Sequence, residues 1–291
     1  MNPPTIPTLQ VVREAKLAEV LADAAPGTDR LEASGVIAAA GWLWVGFDNL
    51  PDLARIGLHW EVPDPSAAMI RRPGGPTGVE DLAAEPDGGG YFGVLEDVAA
   101  HDGHRYSQIL VFDDGWRQTD RQWTDIRLTE PNKGVEGLAA VRRQGRVHLL
   151  ALAEGPVTVA GARGGGLRGR LRVLTLDDGR WRTRHTVELP PGVDFADYSS
   201  LAVDGERIAV VSQRSSALWV GTLAPDRWAV DGAGTVCRFP RDGRGRVVYG
   251  TVEGVAWLDR RHLVVVSDRA KRDDPRRIRA KDQSIHVVAL P

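Results

Sequence analysis

The sequence predicts an all-β chain built as a five-bladed β-propeller of four-stranded antiparallel blades. Three observations carry that expectation: a short phrase that recurs along the chain, an apolar run after each copy, and a later turn marked by a tryptophan. The phrase is clearest as Gly78-Val-Glu-Asp-Leu-Ala-Ala84, Gly134-Val-Glu-Gly-Leu-Ala-Ala140 and Thr251-Val-Glu-Gly-Val-Ala-Trp257. Weaker copies stand at Ala33-Ser-Gly-Val-Ile-Ala38 and Tyr198-Ser-Ser-Leu-Ala202, with serine where the others carry glutamate. The aligned positions Ser34, Glu80, Glu136, Ser199 and Glu253 are 46, 56, 63 and 54 residues apart, the spacing of propeller blades.

Each phrase forms a first strand. The apolar runs Trp42 to Phe47, Tyr91 to Leu95, Val147 to Ala153, Arg207 to Ser212 and His262 to Ser267 return from it as second strands, each after a turn marked by glycine or charge. Third strands follow at Ser107 to Phe112, Leu171 to Leu176 and Ala217 to Thr222. Turns then lead through Trp116, Trp181 and Trp228 into a fourth strand. The last repeat ends with its third strand at Ser284 to Leu290, one strand short. Residues 8–21 are expected to supply the missing strand and close residues 1–291 into a single ring, although Arg13-Glu-Ala-Lys-Leu-Ala-Glu19 would also suit a short helix.

Strand polarity then defines a site. A first strand and the antiparallel second strand beside it place the start of one and the end of the other at the same mouth of the channel. Asp48, Glu96, Glu154, Gln213 and Asp268 close the second strands, so this mouth is expected to gather them with Glu80, Glu136 and Glu253. Carboxylates so crowded require protonation, interleaved cations or a bound metal. A divalent cation such as calcium, which takes oxygen ligands, would be held by Glu80, Glu136 and Glu253. The plainer alternative is that each glutamate accepts backbone N–H groups of a neighbouring blade.

The loops after the second strands open onto this mouth and carry Arg163, Arg214 and Arg269, placed to bind an anionic substrate or simply to be solvated. His101 and His104 fall in one such loop and are the histidines placed to act as a general base, unless they only decorate an exposed turn. The glycine-rich stretch at 161–169 lacks the strand-to-helix context of a phosphate cradle. No Gly-x-Ser-x-Gly elbow surrounds any serine, and no zinc-binding spacing appears.

Composition bounds the rest. With 37 Lys plus Arg against 39 Asp plus Glu, the chain shows no bias toward nucleic acid or membranes, and no apolar stretch reaches the length of a membrane span. The single Cys237 and the proline-rich, leader-free residues 1–10 suggest a cytoplasmic home. The Val-Glu-Gly-Leu-Ala phrase at 135–139, its relative at 252–256, and the pairs Ser267-Asp268 and Ser212-Gln213 resemble the esterase-like phytase propellers and related bacterial propellers. The phrase is short and mainly reports the blade, and five repeats stand here against six blades there. That resemblance implies a metal-binding channel and action on phosphoesters or other esters, carried by Glu80, Glu136 and Glu253. The leading expectation is thus an enzyme acting on a small, anionic molecule at the acidic mouth, with a metal-dependent hydrolase as its sharpest form. A non-catalytic binding or scaffold propeller is the rival.

Overall fold

The computed structural model describes residues 6–131, 133–153, 157–159 and 170–291. Strand β1 (Gln10–Lys16) runs directly into one helical turn, α1 (Leu17–Val20). Strand and helix compete for this stretch, and both form. The helical turn begins where Leu17, Val20 and Leu21 go fully inside. The first repeat follows as β2 (Ala33–Ala39), β3 (Trp42–Phe47), β4 (Leu53–Gly57) and β5 (Ala68–Ile70), hydrogen-bonded in that order. The second supplies β6 (Val79–Ala84), β7 (Tyr91–Ala99), β8 (Arg105–Phe112) and β9 (Gln118–Leu128). The third supplies β10 (Val135–Arg143), β11 (Arg146–Ala153), β12 (Val157–Val159), β13 (Arg170–Asp177) and β14 (Arg180–Glu188). The fourth is β15 (Ser200–Asp204), β16 (Arg207–Ser212), β17 (Ala217–Leu223) and β18 (Val230–Arg238). The last contains β19 (Val252–Trp257), β20 (His262–Ser267), a helical turn α2 (Arg276–Arg279) and β21 (Ser284–Ala289).

The fold is all-β, mostly antiparallel and propeller-like. The first strands of the repeats touch in the cyclic order β2, β6, β10, β15, β19 and back to β2. Hydrophobic clusters fill the spaces between consecutive repeats, including the last and the first, where Ala256, Val264, Val266 and Ile285 pack on Val36, Val45 and Ile56. Burial at these faces is the main stabilising term, at about 25 cal/mol per Å² of apolar surface. One feature departs from five equal, separate sheets. The second and third repeats share a nine-stranded sheet, because their long outer strands β9 and β14 meet in a parallel bridge between Thr124 and Trp181, and β12 adds onto β9.

The ring closes as the sequence predicts. β1 lies antiparallel to β21, from Gln10 opposite Ala289 to Lys16 opposite Ser284, and completes the β1-β21-β20-β19 sheet. Polar groups tie this seam: His286 Nε2 lies 3.1 Å from Ser267 Oγ, its Nδ1 lies 3.4 Å from Glu14 Oε2, and Tyr249 donates to the same oxygen at 2.9 Å. Lys281 pairs with the other Glu14 oxygen. The hydrogen bond from His286 leads the causes that hold the Glu14 carboxyl down to about 2. Serine, imidazole and carboxylate stand in a row as in a hydrolase, but Ser267 and His286 have no exposed surface, so this row is a clasp and not a nucleophile.

Candidate functional site at the acidic mouth

The recurring phrase owes its shape to a β-bulge. Pairing shifts register between Ala33 and Gly35, Val79 and Asp81, Val135 and Gly137, and Val252 and Gly254, so Ser34, Glu80, Glu136 and Glu253 are each the extra residue of a bulged strand. A bulge re-aims its side chain, here at the start of the inner strand. The next position is glycine after three of these four bulges, where inner strands crowd the axis. A Cβ on Gly254 would stand 2.9 Å from the Val36 nitrogen, and one on Gly35 2.9 Å from the Asp81 Cα. The serines have a supporting role. Ser34 donates to the Val79 carbonyl, and Ser199 donates to the Val252 carbonyl at 3.3 Å, so each steadies the residue just before a glutamate of the next repeat.

The second-strand ends arrive at the same mouth, as strand polarity requires. Val79 pairs with Leu95, Val252 with Ser267 and Ala33 with Phe47, which sets Glu96, Asp268 and Asp48 beside the bulges. Glu96 is buried, and its Oε1 accepts the Gly134 N–H at 2.6 Å. Its carboxyl also hydrogen-bonds to that of Glu136, and Asp48 is joined to Glu32 in the same way. Two carboxyls in contact must share a proton. Gln213 fills the fourth repeat's place and donates through Nε2 to Glu253 Oε1 at 2.8 Å. Asp48 Oδ1 and Asp268 Oδ1 are shut off from solvent without a hydrogen-bond partner.

Electrostatics follow from this crowding. Burial, then Glu96, Asp48 and Asp268, push the Glu80 carboxyl up to about 8. Burial followed by Glu80 and Glu96 raises Glu136 well above the usual carboxylate range, and burial followed by Asp268 and Glu80 does the same to Glu253. Burial is also the first cause for Asp268, pushed up to about 7, and for Asp48, pushed up to about 6. The glutamates remain half-exposed, so water reaches groups that protein surrounds on most sides.

Asp81 and Glu32 join the site without having been singled out by the sequence patterns. Asp81, 1% exposed, stands where three repeats have glycine. Its Oδ2 accepts from Leu138 N and Ser200 Oγ, both at 2.9 Å, its Oδ1 accepts from Leu82 N at 2.8 Å, and Leu201 N also donates to the carboxylate. Ser200 Oγ in turn accepts the Val255 N–H at 3.3 Å. Backbone capping of neighbouring repeats, the plainer role expected of the glutamates, is thus performed by Asp81. Burial raises its pKa well above the usual value, against the pull of these donors. Beyond this belt lies a pocket of about 160 Å³ lined by Ile37, Leu82, Leu138, Leu201, Val255 and Asp204 among others.

Other expected residues fall elsewhere. His101 and His104 lie in a tight turn closed by the Ala100 N–H to the His104 carbonyl, and His104 N–H donates to Asp102. No hydrogen bond or ion pair joins either histidine to the carboxylates among the described residues, because β7 shifts register after Leu95 and carries its hairpin onward to Ala99. Arg214 is exposed, and its backbone N–H caps Asp197 at 3.0 Å. Arg269 lies 3.9 Å from Glu32. Glu154 and Arg163 lie outside the described residues. No three carboxylate, imidazole or thiol groups among the described residues converge closely enough to enclose a metal ion. No helix among them is long and apolar enough to cross a membrane.

No protein-family model matches the chain, and no curated protein matches its sequence. Solved structures share the fold at low identity. The PQQ-bound aldose sugar dehydrogenase of Streptomyces coelicolor is 14% identical over 99% of both chains with a TM-score of 0.51. The glutaminyl cyclase of Myxococcus xanthus is 14% identical over 98% of this chain and 97% of its own, with a TM-score of 0.56. These likenesses reach a distant set of all-β propeller enzymes of unlike activity, and none confirms an esterase or a phytase. They also correct the cytoplasmic expectation, which rested on one unpaired cysteine and the composition of residues 1–10. At 14% identity the solved structures that share this fold lend that expectation no support.

Proposed function

We propose that the acidic mouth is the active site of an enzyme that acts on a small molecule by proton transfer, with Glu136 as the leading general acid and Glu80 and Glu253 beside it. The observation that carries this reading is the set of crowded carboxyls at one mouth, where burial lifts Glu80 to about 8 and raises Glu136 and Glu253 well above the usual carboxylate range. A carboxylic acid still protonated near pH 7 can deliver a proton to a leaving group or carbonyl, then receive it back from water. Asp81 and its donors form a polar floor beneath these groups. Counting the shared sheet as two blades, the molecule is a five-bladed propeller whose inner strands each contribute to this floor. Two enzymes share the fold, but that likeness reaches the fold alone.

The test is a panel of ester, phosphoester, lactone and amide substrates assayed with wild-type protein and with Glu136→Gln. The expected result is an activity that survives exhaustive EDTA treatment and falls by about 10² to 10⁴ in the variant, the size of a general acid–base contribution. Loss of activity on chelation, restored by calcium, would replace proton transfer with metal catalysis. Equal rates in the two proteins would remove Glu136 from the chemistry.

A further inference from the structure

The loop from β20 to β21, residues 268–283, is firmly braced. Gln283 N–H donates to the Asp268 carbonyl at 3.1 Å, and Ala270 N–H donates to Asp282 Oδ2 at 3.0 Å. Lys16 reaches in from β1 to donate to Asp282 Oδ1 at 2.7 Å and to the Arg279 carbonyl at 3.1 Å. Arg277 Nε donates to the Val247 carbonyl at 3.0 Å, and Ile278 lies over Gly250. So held, the loop walls a cleft of about 610 Å³ into which Arg269, Lys271, Arg272 and Arg279 bring positive charge.

The acids lining that cleft are already engaged. Asp282 holds Lys16 and the Ala270 N–H. Glu32 holds Arg30 through two hydrogen bonds, at 2.8 and 3.0 Å, and is bonded to Asp48, which leaves Arg269 at 3.9 Å. On the loop itself, Asp274 accepts the Lys271 backbone N–H. The side chains of Lys271 and Arg272 make no ion pair among the described residues, and Arg279 donates to the Arg272 carbonyl at 3.3 Å. Four cations therefore face one cleft, with no acid left in it to neutralise the last of them. Guanidinium groups match the geometry of oxyanions, and several cations around one cleft favour a multiply charged one. Glu32 and the adjacent residues Asp268 and Arg269 connect this cleft to the acidic mouth.

We infer that the cleft holds the multiply charged oxyanion group, phosphoryl or polycarboxylate, of the small molecule whose reacting part enters the mouth. This inference rests on the proposed function for the connection to the mouth, but the cleft can be tested alone. Pyrophosphate and citrate serve as probes in calorimetric titrations of the whole chain at 20 and 200 mM NaCl, using wild type, the double variant Lys271→Ala with Arg272→Ala, and Glu80→Gln. The expected result is binding of at least one probe, weakened about tenfold by the added salt and about tenfold or more by the double variant, and unchanged in Glu80→Gln. Which probe binds identifies the oxyanion as phosphoryl or carboxylate. Binding of neither probe, or binding that the double variant leaves intact, would overturn the cleft as an anion site without touching the carboxyl chemistry of the mouth. A circular dichroism melt of the double variant within a few degrees of wild type shows that any loss is not unfolding.

Discussion

One channel has two unlike ends, and the same few residues of each repeat build both. At the bulged start of the inner strands, glutamate or serine turns to the acidic mouth. Two or three residues later, Ile37, Leu82, Leu138, Leu201 and Val255 line a second pocket. Between them Asp81 gathers donors from its own repeat and from the third and fourth, while Ser200 links it to the fifth. The difference teaches that a repeated phrase can encode polarity along an axis as well as a strand, because bulge and glycine fix which residue faces which end. It also separates roles: the Asp81 belt ties the repeats together, and the mouth gathers carboxyls that burial holds in their protonated form above the usual range.

The widest contrast between the ends should appear in Glu136→Gln. It is expected to lose about 10² to 10⁴ in activity while folding normally, and a paired assay and melt will show it. Asp81→Ala should reverse that pattern. It leaves N–H groups of Leu82, Leu138 and Leu201 and the Ser200 hydroxyl without their acceptor, and about 3 kcal/mol or more of stability should go, read by urea unfolding. A smaller effect is expected from pH. Glu80, Asp268 and Asp48 have folded values of about 8, 7 and 6, raised from 4.5, 3.8 and 3.8, so they favour the fold at acid pH and that contribution is lost as pH rises through those values. Glu14 has the opposite sign: held down to about 2, it supports the seam above 4.5 and ceases to do so as pH falls toward 2. Melting temperature should therefore fall by a few degrees between pH 5 and 8, and Glu80→Gln should flatten that slope; an unchanged slope would count against the raised value. The smallest effect belongs to Leu138→Met at the far pocket, a volume-conserving change expected within about 1.5 kcal/mol of wild type and silent in any assay of the mouth.

Much of this was legible in the residues. The phrase marks all five inner strands, the apolar runs mark their partners, and strand polarity alone brings Asp48, Glu96, Gln213 and Asp268 to one end. Asp81 was visible as the one acidic residue in a glycine column, yet its meaning depends on donors at Leu138 and Ser200, far along the chain, that no local pattern reveals. Glu32 precedes its phrase and enters the mouth through Asp48 and Arg30, contacts set by the turn around Asn49. The merger of two repeats into one sheet is likewise non-local, since it depends on how far β9 and β14 extend before they meet. His101 and His104 fail for a local reason that periodicity does not report, the shift in register after Leu95.

The seam between β1 and β21 sets a timetable for the molecule's birth. Residues 10–16 are synthesised long before their hydrogen-bonding partners at 284–289, so one face of the ring stays open while the residues between them are made. Such long-range closure is slow, and until it happens an unpaired strand edge is offered to any neighbour. Glu14, Lys16 and Arg13 place charge on the waiting strand, a chemical guard against the wrong partner during that interval.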